Sequence, residues 1–392
     1  MKKLTFGIDK MAFYTSHYYL DLQDLAAKRQ VPVKKYQQSI GQHQISIADP
    51  STDIVTLAAN AAQRIVQESD IPDIDLVLLA TESSIDESKA AGIYVHDLLH
   101  LSPYCRVVEL KEACYSATAA IQLALNMIRL NPTKKALVLA ADVAHYDLNS
   151  AGEPTQGCGA VAMLLSANPK LLAIEEGSGY YTQHAMDFWR PTYRKTARVD
   201  GRFSALTYLD ALRHTWQHYT QQTQRRYQQH DHFGLHTPFP AMVEKGYGFL
   251  AKLNDIQLSH DNVQQQTATF LRYARRCGNC YTASLYLGLI SLLDNSTHDL
   301  TNQRIGVFSF GAGYVAEFYS MRVQPGYKKY LTPDVNRKLL DQRQRLTVDE
   351  YEYFHEFAFP TNGHDLVLPT YAGGTFRLAA IEDEQRIYQC KQ

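Results

Sequence analysis

Apolar residues come in short unbroken runs through the first half of the chain, and between those runs they recur at helical spacing. KLTFGID (3–9), DLVLLATE (75–82), CRVVELKE (105–112), KALVLAAD (135–142) and GAVAMLLSA (159–167) read as strands. DIVTLAANAAQRIVQES (53–69), SKAAGIYVHDLLHL (88–101) and CYSATAAIQLALNMIRL (114–130) read as helices. Strands apolar on both faces, alternating with helices, predict a largely parallel sheet covered on both sides. The helix from 114 is apolar on nearly every side, which predicts a place between layers.

The second half repeats the theme with longer insertions. Strands are predicted at LLAIEEGSG (171–179), HFGLH (232–236), RIGVFSF (304–310) and GYVAEFYSM (313–321), and an apolar helix at TASLYLGLISLL (282–293). The polar run HYTQQTQRRYQQHDHF (218–233) reads as the solvated end of a long helix. C-Y-S-A-T at 114 returns as C-Y-T-A-S at 280, 166 residues on (280 minus 114), each time at the head of an apolar helix. This weak repeat predicts two similar α/β halves, 1–168 and 169–392.

Composition narrows the function. At 392 residues the chain is long enough for two or three units, with 39 basic and 40 acidic residues. Near neutrality argues against a broad nucleic-acid or anionic-membrane partner. No run of about 18 apolar residues occurs, and Asp9 and Lys10 cut short the signal-like start, so the expected location is the cytoplasm. Six cysteines are few for this length and are expected as thiols.

Two cysteines are candidate nucleophiles. Cys114 follows a strand and is placed by the pattern at the first turn of a helix, where the dipole would favour a thiolate. Cys280 has the same setting and also forms C-x-x-C with Cys277. No second C-x-x-C or H-x-x-x-H pair completes a zinc site, so no metal is expected. His236 ends a strand-like run just before TPFP and is a candidate partner; a capped core histidine is the equal alternative. His230 and His232 read as solvated. Glu82 ends the strand beside that of Cys114 and would make a general base if partly buried. Ser84 to Glu87 matches a capping box, which gives Glu87 a structural role. The Gly-rich stretches 149–160 and 310–318 do not form G-x-G-x-x-G, which disfavours dinucleotide binding.

A cysteine at a helix start, a glutamate on the next strand end and a later His and Asn together resemble 3-hydroxy-3-methylglutaryl-CoA (HMG-CoA) synthases of the compact bacterial type. The resemblance runs from GIDKMAFY to roughly residue 355 and weakens beyond it. It is carried by DIVTLAANAA, TESSIDESKAA, ELKEACYSATAA, LNSAGEPTQG, DFWRP, GNCYTASLYLGLISLL and GAGYVAEF. It implies a thiolase-like α/β fold of two duplicated halves in α-β-α-β-α layers, usually a homodimer. It also implies condensation of acetyl-CoA with acetoacetyl-CoA and water to HMG-CoA, toward mevalonate and isoprenoids. CoA thioesters would be substrates, and no cofactor is implied.

By resemblance Cys114 carries the acetyl group, Glu82 takes a methyl proton from it, and His236 binds acetoacetyl-CoA and donates a proton. Asn279 would hold the acetoacetyl thioester oxygen. Thr155 and Ser204 would line the product site, Tyr146 and Phe188 the pocket, and Lys245 would contact CoA. Ala312 stands where a serine turn near acetoacetyl is usual. Pro32, Ala241 and Cys280 also depart from the pattern; none of the four touches Glu82, Cys114 or His236. A ketoacyl-carrier-protein synthase is a less fitting relative, because such enzymes need no counterpart of Glu82. A non-catalytic thiolase-like binding protein is the third alternative.

Overall fold

The computed structural model describes residues 4–391; Lys3, at the head of the first predicted strand, lies outside them. Ten strands form one sheet: β1 (Phe6–Tyr14), β2 (Ile74–Ala80), β3 (Arg106–Leu110), β4 (Lys135–Val143), β5 (Cys158–Ala167), β6 (Leu172–Ile174), β7 (Gly179–Thr182), β8 (His232–Leu235), β9 (Arg304–Gly311) and β10 (Val315–Val323). Their order is β8-β9-β10-β6-β1-β5-β4-β2-β3, with β7 paired to β10. Every strand predicted from an apolar run is present.

The expected largely parallel sheet is not. Only β2–β3, β2–β4 and β8–β9 are parallel. The other pairings, among them β1–β5, β4–β5 and β9–β10, are antiparallel. The connections decide this. No crossover helix separates β4 from β5 or β9 from β10, and a parallel neighbour requires one. The pairing sequence along β1-β5-β4-β2 is antiparallel, antiparallel, parallel, and it recurs along β6-β10-β9-β8. β6 pairs with both β1 and β10 and so joins the two sets.

The helices that frame the site are α1 (Ile54–Ala62), α2 (Ala91–Leu98), α3 (Ser116–Leu130), α4 (Gly201–Thr223), α5 (Pro240–Lys252), α6 (Ser284–Asn295) and α7 (Val348–Glu356). Besides the short α1, whose nine residues are all buried, the helix buried all round is α6, where Ser284 through Leu293 are all buried. α3, expected to share that position, buries Ala117, Ala120, Ile121, Ala124, Leu125 and Ile128 but exposes Leu123, Met127 and Leu130. The two helices meet through the Thr118 and Tyr286 hydroxyls, 2.7 Å apart.

Three local expectations are corrected. The Ser84–Glu87 box caps no helix, because α2 starts only at Ala91. Its first turn is held instead by Glu109 of β3, which accepts the Ala91 N–H at 2.8 Å and the Ser84 hydroxyl. The long helix α4 ends at Thr223, before most of the polar run assigned to it. His230 is buried, with its Nε2 2.9 Å from the Tyr219 hydroxyl. Among the described residues no His/Cys/Asp/Glu group could hold a metal, and no helix is long and apolar enough to cross a membrane.

Candidate active site

Cys114 does not lie in the first turn of α3. It sits in a tight turn two residues ahead, with Ala113 in the left-handed region at φ 41° and Tyr115 as the N-cap. The turn is tied down locally. The Ser116 hydroxyl accepts the Glu112 N–H at 2.6 Å and donates to the Ala113 carbonyl at 2.8 Å. The Tyr115 hydroxyl donates to Glu317 at 2.8 Å, and the Ala117 N–H to the Thr282 hydroxyl at 2.8 Å. Gly311 presses against it so closely that a Cβ there would stand 2.6 Å from the Glu112 carbonyl oxygen.

The thiol points at the base. Cys114 Sγ donates to Glu82 Oε1 at 3.2 Å. Burial is the main force on both groups. It raises the Glu82 carboxyl well above the usual range, and the nearby Asp142 charge adds to this. It also raises the Cys114 thiol, with Glu82 as the second cause. The thiolate-favouring dipole expected from the sequence is therefore outweighed: the resting site holds a thiol beside a carboxyl group of high proton affinity.

Asp142, at the end of β4, organises this corner. Its Oδ1 accepts from the Thr81 hydroxyl, the Glu82 N–H and the Ser83 hydroxyl, each at 2.8 Å, and its Oδ2 from the Thr282 N–H at 3.0 Å. It thus ties the Glu82 loop to the segment leading into α6, and burial raises its own carboxyl to about 6. Arg190 Nη2 donates to the Glu82 carbonyl at 2.6 Å. Sequence reasoning missed both residues. The signal for Asp142 was a lone carboxylate closing an apolar strand. Arg190 lies within DFWRP, of which only Phe188 had been singled out.

His236 lies just beyond β8 and is 2% exposed. Its N–H donates to the Phe308 carbonyl at 2.8 Å, and its carbonyl accepts from the Tyr208 hydroxyl at 2.9 Å. Its Nδ1 has no partner, and burial lowers the ring to about 3, so it is neutral at physiological pH. Asn279 accepts at Oδ1 from the Tyr281 N–H (2.9 Å) and the Ser284 hydroxyl (3.0 Å). That leaves its NH2 as the end to offer a ligand oxygen.

A cavity of about 200 Å3 gathers these groups. Cys114, His236 and Asn279 line it together with Tyr146, Thr155, Phe188, Ser204 and Ala312. Thr155 spends its proton on the Gly152 carbonyl (2.8 Å) and Ser204 on buried Asp187 (3.0 Å), so both present oxygen lone pairs. Lys245 is apart: it is exposed on α5, whose residue Met242 lines the cavity together with Pro238 and Phe239, which lead into the helix. Glu82 lies on the far side of Cys114, in the wall of a larger polar cleft that shares Phe188, Tyr281 and Ala312 with the cavity. Cys280 is buried and lines neither space.

A base works unprotonated, so any step that uses Glu82 as base speeds up as pH rises through its raised pKa. The acid limb of a rate–pH profile is expected well above the ordinary glutamate value of about 4.3. His236, already neutral above about 3, adds no limb of its own near neutrality. Asp142→Asn removes a neighbouring negative charge and is expected to move the limb to lower pH. Its NH2 would face the Thr282 N–H, at a cost of about 1–3 kcal/mol in stability. Profiles of both proteins, with chemical denaturation, check this; an unmoved limb would count against Glu82 as the group titrating.

Profiles of known families match most of the chain. "Hydroxymethylglutaryl-coenzyme A synthase N terminal" covers residues 3–170, and the corresponding C-terminal profile covers 172–267 and 252–358. The hydroxymethylglutaryl-CoA synthase of Enterococcus faecalis is 45% identical over 350 residues, 89% of this chain and 91% of that one. A crystal structure of an HMG-CoA synthase complexed with CoA superposes with TM-score 0.93 at 37% identity, covering 99% of this chain and all of the other. A synthase in complex with 3-hydroxy-3-methylglutaryl coenzyme A gives TM-score 0.90 at 34% identity over the whole of both chains. The fold is thiolase-like, and with Cys114, His236 and Asn279 lining one cavity and Glu82 touching Cys114 from its other side, the chain belongs to the hydroxymethylglutaryl-CoA synthase family.

Proposed function

We propose that the chain condenses acetyl-CoA with acetoacetyl-CoA and water to give HMG-CoA and CoA, a step toward mevalonate. The observation that carries this reading is the Cys114–Glu82 contact of 3.2 Å beside a cavity that also holds His236 and Asn279. Cys114 passes its proton to Glu82 and attacks the acetyl thioester; CoA leaves with a proton. Glu82, again a carboxylate, takes a proton from the methyl group of acetyl-Cys114, which a thioester acidifies more than an oxygen ester does. The enolate carbon attacks the ketone of acetoacetyl-CoA. The neutral N–H of His236 donates to the oxygen that becomes an alkoxide, a contact that strengthens as charge develops there. The alkoxide takes up one proton to become the product's hydroxyl, and Glu82 gives up the one it took from the methyl group. Asn279 holds the thioester oxygen. Water then cleaves the Cys114 thioester, releasing the new carboxylate and restoring the thiol.

Thr155, Ser204, Tyr146 and Phe188 shape the space for the product, and Ala312 leaves out one hydroxyl there. Lys245 would meet the CoA outside the cavity. The recurring strand order supports two duplicated halves, 1–168 and 169–392. A homodimer is the form we propose. Among the described residues β3 pairs on one side only, and its Val108 with the nearby α3 stripe of Leu123, Met127 and Leu130 (88% exposed) offers an apolar face. Sedimentation at micromolar concentration would show a dimer; a monomer overturns this part. The cytoplasm, where CoA thioesters are made and used, is the proposed location.

The test is direct. The protein is incubated with acetyl-CoA, quenched in acid and digested, and the acetyl group is mapped by peptide mass. It should sit on the Cys114 peptide, and HMG-CoA should form once acetoacetyl-CoA is added. An unmodified Cys114, or acetyl on Cys280, overturns the proposal.

A further inference from the structure

Tyr146 lines the cavity, yet its main chain is held from a helix some two hundred residues downstream. α7 buries one face, Val348, Tyr351 and His355, and a capping box of Thr347 and Glu350 fixes its start. His355 Nε2 donates to the Tyr146 carbonyl at 2.8 Å. The Tyr146 N–H donates to Gln156 Oε1 at 3.1 Å, and Gln156 Nε2 in turn donates to the Tyr351 hydroxyl. Both backbone polar groups of Tyr146 are thus bound to side chains that lead to α7, one directly and one through Gln156.

The clamp is braced on both sides. Tyr351 donates to Glu153 at 3.1 Å, and Arg29 bridges Glu153 to Glu352 of α7, with a 2.6 Å contact to each. The His145 ring stacks on His355 at 4.0 Å. Its Nε2 and the Lys195 ammonium both donate to the His355 carbonyl, at 3.1 and 2.6 Å. At the other end Tyr146 packs with Tyr281, Phe188 and Cys114 itself.

We propose that Tyr351 and His355 are positioning residues for carbon–carbon bond formation: through Tyr146 they fix the cavity wall against which the second substrate must stand to meet acetyl-Cys114. This rests on the function proposed above. Transfer of acetyl to Cys114 needs one carbonyl beside one thiol. The condensation must align two bound carbons, and a misplacement of about 1 Å can cost on the order of 10²-fold. The two steps should therefore respond differently.

His355→Leu keeps bulk and removes the donor; His355→Gln keeps an N–H that can reach the Tyr146 carbonyl. Acetylation of Cys114 by acetyl-CoA alone should stay near the native extent in both. In the leucine protein kcat for condensation should fall roughly 10- to 100-fold, with a smaller change in KM for acetoacetyl-CoA, and glutamine should restore most of it. If the leucine and glutamine proteins are alike, if acetylation and condensation fall together, or if kcat holds, the proposal is overturned. Should His355→Leu not fold, Tyr351→Phe removes one hydroxyl from the same clamp and is judged by the same split. If the native protein takes no acetyl at all, the functional reading itself has failed, separately from the clamp.

Discussion

Glu82→Ala protein is expected to take up acetyl on Cys114 and then stall. Removing the carboxylate takes away the second cause of the raised Cys114 pKa, its neighbour's negative charge, while burial of the thiol stays much as it was. Attack on acetyl-CoA loses a proton acceptor but gains an easier ionisation, so the adduct should still form. Enolisation has no such compensation. The methyl proton of a thioester is very weakly acidic, and nothing else in the cavity offers a base: His236 is neutral but lies on the substrate side of Cys114, and Asp142 spends both oxygens on four donors. The condensation rate should drop by about 10²–10⁴, the range for a lost general base. Peptide mass after acetyl-CoA and a product assay after acetoacetyl-CoA separate the two steps. If Glu82→Ala condenses at the native rate, the base is another group.

Asp142 explains why that carboxylate is so sensitive to its surroundings. It holds the Glu82 loop in place and at the same time raises the affinity of Glu82 for a proton. The same four hydrogen bonds bring the strand end of Glu82 and the Thr282 segment before α6 to one point. The turn of Cys114 joins them through Ala117 and Thr282. Nucleophile and base are thus positioned by a residue that need not touch substrate.

How much of this could be read from the sequence depends on what each signal senses. Apolar runs located nine of the ten strands of the sheet, because burial leaves little room for polar side chains, but missed β7, whose GYYT is largely uncovered. They carry no information on direction, and β5 and β10 turned out antiparallel to their neighbours because of their connections. The all-apolar α3 was placed too deep: Leu123, Met127 and Leu130 are apolar but exposed, and hydrophobicity alone cannot tell a core position from an exposed one. Spacing brought Cys114 within reach of its role but started its helix two residues too early, since the break at Ala113 depends on contacts from Gly311 and Thr282 distant in sequence. The clamp of α7 on Tyr146 had no local signal at all. His355 and Tyr351 look like ordinary inward residues of an amphipathic helix, and their partners lie around 200 residues away.

The sharpest contrast is expected between the two cysteines that open the repeated motif. Cys114→Ser should abolish turnover. A serine hydroxyl in this buried site is far harder to deprotonate than the thiol, and any oxygen ester formed would acidify its methyl group less, so both chemical steps suffer. Cys280→Ala should condense at close to the native rate. Its sulfur, 1% exposed, packs against Gly159, where a Cβ would come within 3.1 Å of it, and burial holds its thiol well above the usual range. It is a space-filling atom on the far side of Asn279 from the cavity wall, so its loss should register as stability, about 1 kcal/mol for a small buried group, and not as rate. Acetyl mapping and steady-state turnover of the two variants decide the matter. A Cys280→Ala protein that no longer accepts acetyl, or a Cys114→Ser protein that turns over, would reverse the assignment. The repeat thus supplies a nucleophile from its first copy and, one residue before the second cysteine, the amide of Asn279 that faces it.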